Sequence, residues 1–533
     1  MNNHQYTYNQ PPMSPQMEQG MMPPPFMPPQ QRMKSKWQQR FLSGNAKRPL
    51  TLRQERTLPN WMVGASVLAF FIAFSACTLV WGHAMELQYA MVSSISVILF
   101  FYGGKLCCQN WAGSSERTFA KNAFFLGIAV RLIWVLYCYL FFNPDHYGTT
   151  YGHTADVTWY MPFGQDIAQW ISDGIPVSFK SVIDRNGAAI DDVGYPIWLG
   201  LIYLVTFNSS DVFVPFILKC FIGAYCAVCI YHVAKRHFGE GAARIAAMFV
   251  AMNPNMIYWC GTMMKETEMV FLCCLCIDLV DKTFTSGSRL TFKSLLPGVL
   301  VGVYLFFYRA PLAIVMFLAM FSHIVVASKR VMSMGKKIIA GVLVGIVLLV
   351  GLGDRLLTQT ERIRDSVENN DAQQRQNFEW RSRRAGGNSF ATYASRAVFA
   401  PLIFTIPFPT FNEAHKEQVV QQQMSGGSYV KNILSFFVLY VMIMMLLSGE
   451  WRRHVFILAY TLGYLVTLVL SNYAQSGRFH MPIWPMLMLF AAYGVQLSKT
   501  NPRLKRWFPL VLVLEVVACI AWNWFKLKGR GMI

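Results

Sequence analysis

Long apolar runs separated by short polar segments dominate the pattern along this chain. About 20 consecutive apolar residues, wound as a helix, cross the hydrocarbon core of a bilayer. Runs of this kind are "WMVGASVLAFFIAFSACTLVW" from Trp61, "FLGIAVRLIWVLYCYLFF" from Phe125 and "IIAGVLVGIVLLVGLG" from Ile338. The pattern predicts an all-α polytopic membrane protein with about 13 transmembrane helices. Their expected positions are roughly 61–82, 89–106, 122–142, 211–233, 242–258, 266–281, 294–308, 311–328, 337–353, 431–448, 454–471, 480–497 and 507–524, with ends good to a few residues. Two apolar stretches are too short to span: "GYPIWLGLIYLVTF" from Gly194 and the proline-rich "RAVFAPLIFTIPFPTF" from Arg396. Both are expected to lie in the interface or to enter the membrane partway.

Composition supports this class. The 533 residues are 54% hydrophobic and 14% charged, against about 25% charged in soluble proteins. The formal net charge of +20 sits mostly in short loops between apolar runs. That placement reads as topogenic charge rather than a nucleic-acid surface, so nucleic acid is not an expected partner. Most of the 12 cysteines fall inside apolar runs. The pair Cys226 and Cys229 has CxxC spacing but no second pair nearby, and reads as packing rather than a zinc or redox site. The opening "MNNHQYTYNQPPMSPQMEQGMMPPPFMPPQQ" is rich in Pro, Gln and Met. It is expected to be disordered, and it lacks the apolar core of a signal peptide.

Basic residues accumulate in cytoplasmic loops. Lys34, Lys36, Arg40, Lys47, Arg48, Arg53 and Arg56 precede the first span, which places the N-terminus in the cytoplasm. The alternation then puts "KLCCQNWAGSSERTFAKN", "AKRHFGEGAAR", "DKTFTSGSRLTFK", "SKRVMSMGKK", "SGEWRRH" and "SKTNPRLKRW" inside, and each carries basic residues. Outside fall the loop from Asn143 to about Gly194, the turns "WCGTMMKE" and "YRAP", the loop from Asp354 to about Val430, and "SNYAQSGRFH".

This topology collects ionisable residues from distant parts of the chain at one depth. They are Asp145, Asp156 and Asp166, then Lys265 and Glu266, then Arg309, then Arg478 and His480. Acids and bases together at the lipid–water boundary suit a substrate that is part lipid and part polar, such as a polyprenyl phosphate. Any one of the cations taken alone is equally consistent with snorkelling to the interface. Deeper in the spans, Arg131, Lys219 and Glu515 each cost about 2.5–3.5 kcal/mol at a helix centre, so each requires a partner or an aqueous cavity.

The segments "ADVTWY…DIAQWISDG…DVGYPIWLGLIYL" and "YHVAKRHFGEGAARIAAMFVAMNPNMIYWCGTMMKE" resemble the polytopic GT-C glycosyltransferases. The resemblance is to the bacterial branch that includes protein O-mannosyltransferases, aminoarabinose transferases and Rgt-type transferases. Its first outer loop opens with an Asp, a Tyr four residues on and an Ala-rich segment ending in Gly; here these are Asp156, Tyr160, Ala168 and Gly174. Gly194, Tyr195 and Pro196 match its "GYP" helix start, Ala234 to Gly239 its basic inner turn, and "GRFHMPIWPMLMLFAAYG" its late Arg-containing turn. The similarity runs from about Leu126 to Gly494. Relatives often carry adjacent acids in the first loop, whereas Asp156 has none beside it and Asp145 lies eleven positions earlier, so either Asp can be the base.

The resemblance implies transfer of a sugar from a polyprenyl-phosphate donor to an extracytoplasmic glycan, lipid or protein acceptor, with inversion. Asp156 or Asp145 takes the acceptor's proton; Arg309 and Arg478, with Lys265 and His480, face the phosphate; Glu266 orients Lys265 or contacts the sugar. Tyr160, Trp159 and Trp170 stack on sugar or anchor the loop. No cofactor is expected, and no ligand cluster indicates a divalent metal. The expected organisation is a tail at 1–56, two added spans in 57–120, a GT-C-like core at 121–353, an outer loop with a short interfacial helix at 354–430, and C-terminal spans in 431–533. An envelope polysaccharide polymerase or ligase, or a lipid-linked sugar flippase or transporter, stays open as an alternative. The implied location is the cytoplasmic (inner) membrane, with the site on its outer face.

Overall fold

The computed structural model describes residues 50–141, 155–187, 190–207, 211–286, 291–327, 403–412, 423–470 and 477–529, all within one compact unit, Gly44–Ile533. The Pro/Gln-rich opening, Asp145, the expected span 337–353 and most of the loop 354–430 lie outside the described residues. Among the described residues the protein is all-α, with no strand and a single β-bridge between Ala84 and Asn412.

Backbone polar groups in lipid must be satisfied within their own segment, which is why apolar runs of this length become helices. They include α1 (Asn60–Trp81), α2 (Leu87–Asn110), α3 (Glu116–Phe141), α4 (Ala155–Ser172), α5 (Gly194–Val205), α6 (Phe213–Ala251) and α7 (Glu266–Thr285). There follow α8 (Phe292–Phe306), α9 (Ala310–Ala327), α10 (Ser425–Ser448), α11 (Val455–Leu470), α12 (Trp484–Ser498) and α13 (Pro502–Gly529).

Seven helical runs among the described residues are long and apolar enough to cross a membrane: Leu52–Trp81, Leu87–Asn110, Glu116–Phe141, Phe213–Ala251, Ser425–Ser448, Met481–Ser498 and Pro502–Lys528. The chain is a multi-pass membrane protein. Four further apolar helices are shorter: Gly194–Val205, Lys293–Phe306, Ala310–Val326 and Val455–Val469. Helix α7 belongs to neither set, because it carries Glu266, Glu268, Asp278 and Asp281 near its two ends. The expected loop boundary at 430 falls inside α10, which starts at Ser425.

The long run α6 is two limbs. Gly239 has φ 82° and ψ 178°, a left-handed conformation that glycine adopts without a Cβ penalty. The chain reverses there. The Tyr231 hydroxyl donates to Glu240 Oε2 at 2.8 Å across the turn, and Lys219 on the first limb reaches Thr262, beyond the end of the second. A turn therefore separates the two spans expected at 211–233 and 242–258.

The deep charges are all partnered. Buried Arg131 donates from Nη1 to Ala251 O at 2.8 Å and from Nη2 to Val250 O at 3.3 Å. These are orphan carbonyls at a helix C-terminus, where a cation is favoured. Glu515 accepts from Asn432 Nδ2 at 3.0 Å. Lys219 lies 3.4 Å from Glu268.

Segment 403–412 contains no helix and is held by side chains. Ser425 Oγ donates to Thr410 O at 2.7 Å, Asn523 Oδ1 accepts from Phe411 N at 2.8 Å, and Lys431 Nζ and Ser435 Oγ donate to Ile406 O and Phe404 O. Phe411 also packs edge-on against Phe70 and Phe74 of α1. The first span and the connection that follows it, through Ala84 and Met85, are thus built into the bundle by this segment.

At the far end of α7 from Glu266, Asp281 Oδ2 accepts from Arg236 Nε at 2.6 Å and Asp281 Oδ1 lies 2.7 Å from His237 Nε2. His237 Nδ1 in turn lies 2.7 Å from His454 Nδ1. This chain of contacts ties the Gly239 turn to α7 and α11.

Candidate functional site

The end of the bundle that holds Glu266 brings together five of the residues expected to converge, Asp156, Lys265, Glu266, Arg309 and Arg478. Residue by residue, four parts of the chain supply them. Asp156 sits in the first turn of α4. Lys265 and Glu266 form the start of α7, after the turn Thr262–Met264. Arg309 lies between α8 and α9, where its N–H donates to Leu305 O at 2.9 Å. Arg478 precedes the short 3₁₀ turn Met481–Ile483 that opens α12.

Arg478 is the hub. Its Nη1 lies 2.6 Å from Asp156 Oδ2, and its Nε donates to Glu266 Oε1. The two carboxylates differ in exposure: the Asp156 side chain is 41% exposed and the Glu266 side chain 0%. Burial works against the charge on Arg478, but Glu266 and then Asp156 outweigh it and hold the guanidinium above its ordinary value. Glu266 Oε2 is buried and has no hydrogen-bond partner among the described residues.

Lys265 is buried and donates from Nζ to Tyr308 O at 2.9 Å. It pairs with Asp192. Burial first, and Arg309 second, push this ammonium well below its usual value. Asp192 adopts φ 70°, an uncommon region for a residue with a side chain and one that concentrates at functional sites. The next helix is seated on the same turn: Gly194 N donates to Phe307 O at 2.8 Å. A Cβ on Gly194 would lie 2.6 Å from the Tyr308 ring, so glycine is required by this close approach.

Arg309 has no carboxylate partner among the described residues. Its guanidinium lies 4.4 Å from the Phe479 ring centroid, and Tyr464 Oη donates to Phe479 O at 2.9 Å. The half-buried cation is held by an aromatic face and by the Tyr464 hydroxyl.

Tyr160 packs edge-on against Tyr195 at 5.2 Å. Burial, then Glu266 and Asp156, push its phenol above the usual value, so it stays neutral. Helices α4 and α5 fit closely because glycines face side chains: a Cβ on Gly164 would lie 2.8 Å from Leu199 Cβ, and one on Gly200 2.8 Å from Ile167 Cγ2.

Two of the aromatic residues have partners within the loop. Arg185 stacks over Trp159 at 4.9 Å and pairs with Asp166 at 2.9 Å, so a face of that ring is occupied and Asp166 is spent on this contact. Trp170 packs against the small core of Phe163, Ile167, Val182 and Val193. His480 is fully buried, two residues beyond Arg478.

Asp192 was not singled out from the sequence, although it stands two positions before Gly194 in the "DDVGYP" stretch. Its signal was an acidic pair placed directly before a helix start in the first large loop. Tyr308 and Phe479 carry no sequence signal, since their role follows from which turns meet. Comparison of the chain with protein-family models, with curated proteins and with solved structures finds no match.

Proposed function

We propose that this chain is an integral-membrane glycosyltransferase of the GT-C type, moving a sugar from a polyprenyl-phosphate donor to an acceptor on the outer side of the cytoplasmic membrane. The observation that carries the reading is the contact of Asp156 and Glu266 with one guanidinium, Arg478, at a bundle end that also holds Lys265 and Arg309. Displacement at an anomeric carbon needs a carboxylate to accept the nucleophile's proton and cations to stabilise the departing phosphate.

Asp156, with its half-exposed carboxylate, is the base. Arg309, which no described carboxylate neutralises, takes the phosphate, and Arg478 orients Asp156 while completing the positive wall. Lys265 is engaged by Asp192 and Tyr308 O, which makes it a support for the wall rather than the main phosphate contact. Glu266 fixes Arg478. The apolar helices beside the site supply a greasy surface for an isoprenoid tail, and no cofactor or metal is part of this reading.

The test is lipid analysis of cells lacking the gene. A sugar-bearing polyprenyl phosphate should accumulate, disappear on complementation with the wild type, and persist with Asp156→Asn. Clearance of the glycolipid by Asp156→Asn as fast as by the wild type would refute the assignment. Accumulation of long glycan chains on the lipid instead would favour a polymerase or ligase.

A further inference from the structure

We propose that Lys219, in the first limb of α6, is a positioning residue that sets the turn presenting Lys265 and Glu266 to the site; the site's role as a phosphate cradle rests on the reading above. Among the described residues, the partners of the Lys219 side chain are Thr262, Met264, Glu268 and Tyr195, none of them the site's own charged groups. It is fully buried and acts from behind. Its Nζ donates to Thr262 O at 2.9 Å and to Met264 O, the two carbonyls that bracket the turn leading into α7.

The remaining surroundings of the ammonium fix it in place. Glu268, the second residue after Glu266, supplies the counter-charge at 3.4 Å. The Tyr195 ring lies 4.8 Å from Nζ, so α5 covers the ammonium as well. Both Glu268 oxygens are buried with no hydrogen-bond partner among the described residues. Lys219 is thus the one cation paired with Glu268 among the described residues. Cys260 Sγ also points to Lys219 O, which ties the backbone of α6 to the same turn.

A buried ion pair is a poor source of net stability, because the desolvation of both charges offsets their attraction. Its value lies in geometry. Two carbonyls and a carboxylate converge on one ammonium, and any shift of the turn must break a charge-assisted hydrogen bond in a low-dielectric setting. Lys265 and Glu266 follow Met264 in the chain, so the ammonium sets where the wall of the site begins. A displacement of about 1 Å at such a position is enough to cost a large factor in function.

The pair must be removed together, since Lys219→Met alone strands Glu268. The experiment uses the full-length protein in detergent with two readouts. The first is hydrogen exchange of the peptide covering 259–268, which needs no ligand. The second is binding of undecaprenyl phosphate. In Lys219→Met/Glu268→Gln the melting temperature should stay close to wild type, the 259–268 amides should exchange faster, and affinity should fall about tenfold, equivalent to about 1.4 kcal/mol. Lys219→Arg, which keeps charge and donors, should recover part of the loss.

Wild-type exchange of 259–268 in a folded double variant would overturn the proposal. So would loss of the fold in both variants, which would make Lys219 a support of the whole bundle. If the wild-type protein fails to bind undecaprenyl phosphate, the transferase reading falls, while the exchange arm still decides the role of Lys219.

Discussion

Arg478 is held by two carboxylates of unequal environment, and that inequality makes a quantitative prediction. Arg478→Ala leaves Glu266, wholly buried, with an uncompensated charge. Breaking a buried pair from one side costs about 3–5 kcal/mol. Asp156→Asn removes the other carboxylate, but its side chain is 41% exposed and Arg478 keeps Glu266. An exposed pair contributes about 1 kcal/mol or less. The double change Arg478→Met/Glu266→Gln removes both buried charges and should recover most of the stability while leaving transfer abolished. The assay is thermal unfolding of purified protein in detergent, read by the loss of the monodisperse peak. The expected order of melting temperatures is wild type and Asp156→Asn together, the double variant close below, and Arg478→Ala far lower. Equal shifts for Asp156→Asn and Arg478→Ala would show that the guanidinium is not anchored by Glu266, and the hub arrangement would be wrong.

Gly194→Ala would press a methyl against the Tyr308 ring and should destabilise by about 1–3 kcal/mol, measurable as a lower melting temperature; an unchanged value would deny the close approach. Asp192→Asn removes the counter-charge of buried Lys265 while keeping a residue that tolerates the left-handed backbone, and it should slow glycolipid clearance in complemented cells; wild-type clearance would remove Asp192 from the site. At the opposite end, burial and then the adjacent His237 ring push His454 down to about 4 from 6.5. A folded state that resists protonation is fully stable above about pH 6.5 and loses stability as pH falls toward about 4. His454→Phe should flatten that part of the pH–melting profile, and an unaltered profile would mean His454 does not carry it.

Much of the helical frame was legible because lipid leaves the backbone one economical solution, and apolar length reports it directly. The runs from Trp61 and Phe125 became α1 and α3. Spans defined by their charge were harder. Helix α7 carries four acids, and only the tertiary fold shows that Glu268 meets Lys219 and Asp281 meets Arg236. The convergence of Asp156, Glu266 and Arg478 was readable from sidedness, since loops on one face share a depth. Which carboxylate meets which cation was not, because that depends on how α4 and the Arg478 turn lean together. Asp192 escaped notice for the same reason: its partner Lys265 is 73 positions away in sequence, and the contact exists only because Gly194 lets α5 sit on the Tyr308 turn.

The most direct measurement is sugar transfer by the purified protein in liposomes, supplied with lipid extracted from cells lacking the gene and with the envelope fraction of the same cells as the source of acceptor. The wild type should consume a sugar-bearing polyprenyl phosphate and release the free polyprenyl phosphate, and Asp156→Asn should leave it intact at an unchanged melting temperature. Consumption by Asp156→Asn at the wild-type rate, or movement of the glycolipid across the bilayer with its sugar still attached, would contradict the account.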